Sequence, residues 1–382
     1  MSLPLDYMTL RVIWWALLGV LLIGFTLTDG FDLGVAALLP FVARTDDERR
    51  MTINTVGPTW EGNQVWLILG GGAIFAAWPF VYAVSFSGFY LAMFLVLAAL
   101  ILRPVGFKYR SKRPSKGWRM FWDWALFTGG FVPALVFGVA VGNVLSGAPF
   151  SFDSDLRVSY HGDLLGLFTP FTLVCGLLSV AMATLHGAAW LTVKAEMGKV
   201  RDRARLFGEI AGIGVIGLFA VGYLFVRFTR LGYRMVSAPD MFGPSNPLHT
   251  VITHAPGAWL DNFTAYPWMW IAPALGFIGA VLAAIGLLRG WGAAALGGSA
   301  GSAFGVISTV GLSMFPIMLP SSVDNHSGLT VWNASSSHTT LFNMLVATVI
   351  FLPIVLAYTS WVFKVLWGRT NTSAILASPD YY

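Results

Sequence analysis

Three carboxyl groups fall where a carboxyl group is expensive to keep. Asp29 and Asp32 lie in the middle of the first long apolar run, within TDGFDLG, and Glu61 lies within WEGNQVW, in the polar half of the second. Ionisable side chains inside a bilayer are costly and mark proton relays or paired structural groups. The i, i+3 spacing of Asp29 and Asp32 puts them on one helix face. The loop between the two runs centres near Asp47, with Asp32 15 residues before it and Glu61 14 after it. Antiparallel helices rising about 1.5 Å per residue therefore bring both groups to a similar depth. The expectation is one intramembrane cluster of three carboxyls, a third to half of the way in from the cytoplasm. Two chemistries fit it: passing protons, or pairing to pack one subunit against another. Arg103, in LRPVGFKYRSK, reads as a snorkelling arginine at the inner boundary, with an ion pair to one of the acids as the alternative. Beside Glu61, Trp60, Asn63, Gln64 and Trp66 join Arg103 as candidates for ion pairing or an interface. Asp123, in FWDWAL, reads as an acid complementing a helix N-terminus.

Metal and haem chemistry would call on histidine or cysteine. His161, His249, His254, His326 and His338 fall in or beside loops, at no ligand-like helical spacing. Only His186 lies inside an apolar run, where it reads as a packing residue. Cys175 is the one cysteine, so no disulfide framework forms. Gly70-Gly71-Gly72 follows no strand, which excludes a dinucleotide fingerprint; close helix packing explains it. The residues thus offer no metal site and no haem ligand pair.

The elements that must hold these groups are membrane helices. Of 382 residues, 56% are hydrophobic and 11% charged, against about 25% charged in soluble domains. Mean hydropathy is +0.71. Runs such as FLVLAALIL are apolar all round, unlike the alternating strands of a barrel. The spacing predicts an all-α polytopic protein, one integral membrane domain over 1–382 with about nine spans: 11–42, 54–78, 81–104, 121–146, 164–192, 206–229, 266–288, 293–318 and 339–366. Trp78-Pro79 is the natural break between the second and third, since proline disfavours helix before itself. The tryptophans, including Trp14, Trp15, Trp78 and Trp118, cluster at span ends as interfacial belts do. No cleavable leader is evident, because the first apolar run outlasts an h-region. The tail with Ser378, Pro379 and Asp380 reads as a frayed end.

The net charge of +5 sits in short loops and reads as a topology signal, not a nucleic-acid footprint. Under nine spans only Arg11, Arg157, Arg227, Arg230 and Arg234 fall on one side, and the other 18 of the 23 Lys and Arg residues fall opposite. The positive-inside rule then puts the amino terminus outside and the carboxyl terminus in the cytoplasm.

Several stretches carry a resemblance. RVIWWALLGVLLIGFTLTDGFDLGVAALLPFVAR, DDERRMTINTVGPTWEGNQVWLILGGGAIFAAWP and YAVSFSGFYLAMFLVLAALILRPVGFKYRSK, with the later MFPIMLPSS, LTVWNASSSHTTL and FLPIVLAYTSWVFKVLWGR, resemble subunit II of the cytochrome bd quinol oxidases. The resemblance implies a multi-pass subunit of a respiratory oxidase in the bacterial inner membrane, oxidising quinol at the outer face and reducing oxygen to water with cytoplasmic protons. It implies two four-helix bundles plus one peripheral helix, paired pseudo-symmetrically with subunit I, which would bind two haems b and one haem d. Small accessory membrane subunits and lipid are further expected partners. Asp29, Asp32 and Glu61 match family acid positions at the subunit interface; the family allows Asp where this chain has Glu61.

A proton-coupled secondary transporter would also use intramembrane acids, but such folds carry inverted repeats with broken helices, and no repeat is visible. A purely structural assembly subunit differs only in whether the acids move protons. The charge bias is directly testable: a reporter fused after Tyr382 is expected to be active only in the cytoplasm, and activity confined to the periplasm overturns the orientation.

Overall fold

The computed structural model describes residues 3–237 and 239–370. The tail that holds Ser378, Pro379 and Asp380 lies outside the described residues. The chain begins with α1 (Tyr7–Val42), whose N-terminal amide groups are met by Asp6, the side chain of which accepts from the Thr9 amide. α2 (Asp46–Asn54) is short and polar, and opens with a capping box between Thr45 and Glu48. It lies in the connection to α3 (Trp60–Ala77). The second crossing therefore starts at Trp60 and not at 54, because residues 55–59 form turns.

After Trp78 the third crossing comes in two pieces, α4 (Pro79–Gly88) and α5 (Tyr90–Tyr109). Hydrogen bonds from the Phe89 amide to Ser85 and from the Met93 amide to Phe89 carry the ladder across the joint. The joint sits at Gly88, where any Cβ would run into the Tyr160 ring.

α6 (Lys116–Ser146), α7 (Pro170–Lys194) and α8 (Lys199–Phe228) follow. The run KVRDRAR, expected outside the sixth span, is the first two turns of α8. Beyond a loop region come α9 (Asp261–Ala265), α10 (Ile271–Leu288), α11 (Gly292–Met314) and α12 (His338–Val365). Among the described residues, eight helices are long and apolar enough to cross a membrane. α3, expected as a further crossing, has 18 residues but is not among these eight, because its polar start, WEGNQ, dilutes its hydropathy. It runs from the α2 connection to a loop where Ala77 accepts from the Ser336 amide at 2.8 Å.

The helices sort into one bundle of α1, α3, α5 and α6 and a second of α7, α8, α10 and α11, while α12 lies against α1 and α3 with most of its surface free. α1 is the seam, since it packs on α7 as well as α6. Gly34 and Gly187 make that possible: a Cβ on Gly34 would run into the Ala183 carbonyl, and one on Gly187 would lie 2.6 Å from the Gly34 carbonyl carbon. On the α6 side, a Cβ on Gly130 would lie 2.5 Å from the Leu33 carbonyl oxygen. The Gly70-Gly71-Gly72 run, expected to serve close packing, does not do so within the chain, since an added Cβ on Gly70 or Gly72 meets nothing within 4 Å. α3 meets α1 instead through Trp66, whose ring fills the space beside Gly24.

One end of the molecule is a cap of loops. It contains the hairpins β1 (Phe150–Phe152) with β2 (Val158–Tyr160), β3 (Tyr233–Ser237) with β4 (Val251–His254), and β5 (Ile317–Leu319) with β6 (Leu329–Thr330), all antiparallel. Arg11, counted above only as a loop charge, is fully buried in this cap. It donates to Ser335 Oγ at 2.7 Å and to the Met241 carbonyl at 2.7 Å, and stacks over Tyr7. Trp14 and Trp78 are buried in the body and donate to the Leu341 and Val331 carbonyls, so neither belongs to an interfacial belt.

The opposite end is rich in arginine. Asp123 accepts from Arg49 and Arg110, each at 2.6 Å, and Asp46 from Arg110 and Arg119. α6 starts at Lys116, so Asp123 lies two turns in and acts as an ion-pair hub, not as a helix-terminal acid. Burial pushes the Glu48 carboxyl up, but hydrogen bonds from the Arg44 and Thr45 amides and from Arg203 outweigh it and hold the carboxyl below its ordinary range. That contribution to stability is complete above the ordinary glutamate range and is lost as pH falls through the lowered value.

The glycine seam sets a stability expectation. Gly34→Ala should cost about 1–3 kcal/mol through overpacking, seen as a lower thermal unfolding midpoint in detergent. Gly19→Ala, on the same helix with open space around it, should leave the midpoint unchanged or slightly raised; equal behaviour of the two variants refutes the seam.

Candidate functional site

The first bundle buries the two aspartates of α1 completely. They share a face, as their spacing requires, but take partners from different helices. Asp29 meets Arg103 of α5 in a bidentate pair, with Nη1 donating to Oδ2 at 3.0 Å and Nη2 to Oδ1 at 2.6 Å. Both side chains are closed to solvent. Arg103 therefore does not snorkel to the boundary. The reason lies on a third helix: Gly129 of α6 has no side chain where Arg103 turns inward, and a Cβ there would lie 2.9 Å from Arg103 Cγ. Bidentate geometry of this kind is the strongest arginine–carboxylate arrangement.

Asp32 is served by α3, where Asn63 Nδ2 donates to Oδ2 at 2.8 Å. Among the described residues its other oxygen, Oδ1, has no hydrogen-bond partner, and neither has Arg103 Nε. Glu61 does not join the aspartates. It is exposed on the surface of α3, and it forms no hydrogen bond or ion pair among the described residues. At about 100° per residue, two positions put Glu61 and Asn63 on opposing sides of α3, so the amide occupies the place expected for the third carboxyl. Trp60 packs against Phe107 with ring centroids 5.4 Å apart, Trp66 is buried, and Gln64 is half-buried.

His186 of α7 is adjacent to this site but chemically occupied. Its Nε2–H donates to the Leu27 carbonyl of α1 at 3.0 Å, and Nδ1 faces Ser299 Oγ of α11 at 2.7 Å. With both ring nitrogens engaged it does not fit a haem ligand. Among the described residues no group of three His, Cys, Asp or Glu side chains gathers as a metal cage. Sequence reading named His186 as packing but missed its tie to the aspartate-bearing turn. Ser299 carries no motif that could have pointed to it.

The family profile described as cytochrome bd terminal oxidase subunit II matches residues 10–366. The chain belongs to that subunit II family. Among similar relatives are a probable cytochrome oxidase subunit 2 of Haemophilus influenzae, 48% identical over 97% of this chain and 98% of that one, and the cytochrome bd-I ubiquinol oxidase subunit 2 of Escherichia coli K12, 46% identical over the same shares. The Bacillus subtilis cytochrome bd ubiquinol oxidase subunit 2 is 30% identical over 95% and 97%. A chain of the bd oxidase from Geobacillus thermodenitrificans superposes with a TM-score of 0.69 at 16% identity, over 94% of this chain and 98% of that one, which speaks for the fold. As a cytochrome bd subunit II, the chain is part of a multi-pass bacterial membrane oxidase that contains haem and a subunit I. These matches give the transporter reading no support.

The Asp29–Arg103 pair of subunit II invites a double-mutant cycle. Arg103→Leu strands a buried carboxylate and should cost about 3–5 kcal/mol, as should Asp29→Leu for the arginine. The double variant, with neither charge, should recover most of that loss. Thermal unfolding of the purified complex measures all three, and additive losses would show that the pair does not act as a unit.

Proposed function

We propose that this chain works in a quinol:oxygen oxidoreductase by supporting the haem-bearing subunit I and by handling protons at Asp32 and Glu61. The E. coli and B. subtilis relatives are named as ubiquinol oxidase subunits, and quinol oxidation by the complex accords with the family. In this reading quinol gives its electrons at the outer face, two haems b and one haem d in subunit I carry them to oxygen, and protons enter from the cytoplasm. The amino terminus lies outside and the carboxyl terminus in the cytoplasm. The whole chain forms one integral membrane unit, as half of a heterodimer to which small accessory subunits and lipid can add.

The observation that carries the proton reading is the difference between the two buried aspartates. Asp29 meets Arg103 through both oxygens, so both are committed to the ion pair. Asp32 has one oxygen held by Asn63 and one free, so it can take up or release a proton without breaking an ion pair. Glu61 supports the same reading from outside: a carboxyl exposed on a membrane-crossing helix is poorly placed against lipid and suits a polar partner surface. Reducing oxygen to water consumes protons in step with electrons, and the reaction site must receive them without opening to bulk water. Asp29, Arg103 and Asn63 position Asp32; Asp32 and Glu61 hold the protons.

Glu61→Gln removes the titrating group and keeps its size, so assembly and haem content should survive. Quinol-oxidase rate per haem d should then fall on the order of 10²-fold, while Glu61→Asp should keep much of the activity. A normal rate per haem d in Glu61→Gln takes this residue off the proton path. Lost haem with normal turnover in the remaining complex favours the purely structural role.

A further inference from the structure

The arginine-rich end holds more positive charge than its own acids can meet. Asp46 and Asp123 serve three arginines, Arg49, Arg110 and Arg119, and among the described residues Arg110 Nη1 is still without an acceptor. Around the turn between α5 and α6, Lys108, Lys112, Arg113 and Lys116 are all exposed, and none has an ion-pair partner among the described residues. Arg113 lies over the Trp118 ring, 4.9 Å from its centroid, which anchors its charge at the edge of the helices.

The same edge carries an exposed apolar surface. Phe121 and Trp124, in the second and third turns of α6 and three residues apart, are 59% and 50% exposed and share a helix face. Lysine and arginine flanking a membrane helix, with aromatic rings next to them, is the composition of a headgroup-level interface. An anion complements the clustered charge, and acyl chains cover the rings beside it. An anionic phospholipid supplies both in one molecule; inorganic phosphate supplies only the first.

We propose that the turn at residues 108–116 binds the phosphate headgroup of an anionic phospholipid, whose chains lie along Phe121 and Trp124. The assignment does not depend on the proton reading above, because none of these residues touches Asp29, Asp32 or Glu61.

The test uses the purified heterodimer in neutral detergent, titrated with phosphatidylglycerol or phosphatidylcholine and observed by native mass spectrometry. The wild-type complex should keep phosphatidylglycerol under activation that strips phosphatidylcholine. The variant K108Q/K112Q/R113Q/K116Q should bind phosphatidylglycerol more weakly, on the order of a hundredfold. A control that removes the same number of exposed charges at the same end, K199Q/R289Q/K364Q/R369Q, should bind as the wild type does. Equal retention of the two lipids, unchanged binding in the first variant, or an equal loss in the control each overturns the proposal. Loss of subunit I from the first variant, with lipid per remaining heterodimer unchanged, assigns the turn to the protein partner and overturns it as well.

Discussion

A carboxylate and a guanidinium cannot both be dry unless each meets the other, and the first bundle is arranged around that requirement. Asp29 and Arg103 are wholly enclosed, where the cost of removing either charge from water is several kcal/mol. Their union needs α5 to send a long side chain inward, α6 to give way at Gly129, and α1 to present Asp29 at the matching height. Once Arg103 is committed to Asp29, it cannot also satisfy Asp32 through both oxygens. Asn63 takes that place with a neutral amide, which holds the second acid without fixing its charge. The chemistry available to the site thus follows from which of two adjacent acids receives the cation.

The same economy of charge governs the two ends. In the loop cap, Arg11 is buried without a carboxylate hydrogen-bonded to it; serine hydroxyls, backbone carbonyls and the Tyr7 ring share its charge. At the other end, arginines outnumber the acids they contact, and a solvent- and headgroup-facing position makes that excess tolerable. Serine hydroxyls and backbone carbonyls receive the closed guanidinium of Arg11, whereas Lys108, Lys112, Arg113 and Lys116 stand in the open.

What could be read from the chain and what could not divides along a physical line. Depth along the membrane follows from apolar runs and loop lengths, so the spans, the shared face of Asp29 and Asp32 and the bundle architecture implied by the resemblance are legible. Azimuth around each helix does not follow from them. Glu61 sits at a depth set by loop length, but its direction depends on the turns at 55–59 and on Trp66 docking beside Gly24, so the carboxyl points away from the aspartates. Arg103 is similar: snorkelling and inward pairing demand the same residue at the same height, and a glycine on another helix decides between them. The span starts that moved outward, at Lys116 and Lys199, did so where polar residues continue a helix beyond the apolar run, whereas the second span starts late, at Trp60, because residues 55–59 form turns.

Backbone contact at Gly34 and Gly187 has a mechanical consequence. Carriers work by rocking one bundle against another about a central site. Here the joint lies within a few residues of Asp29 and Asp32, with no side chain at either glycine to act as a compressible spacer between α1 and α7. At that joint the two bundles meet backbone on backbone. Opening a path past the aspartates by parting α1 from α7 would first have to break that contact.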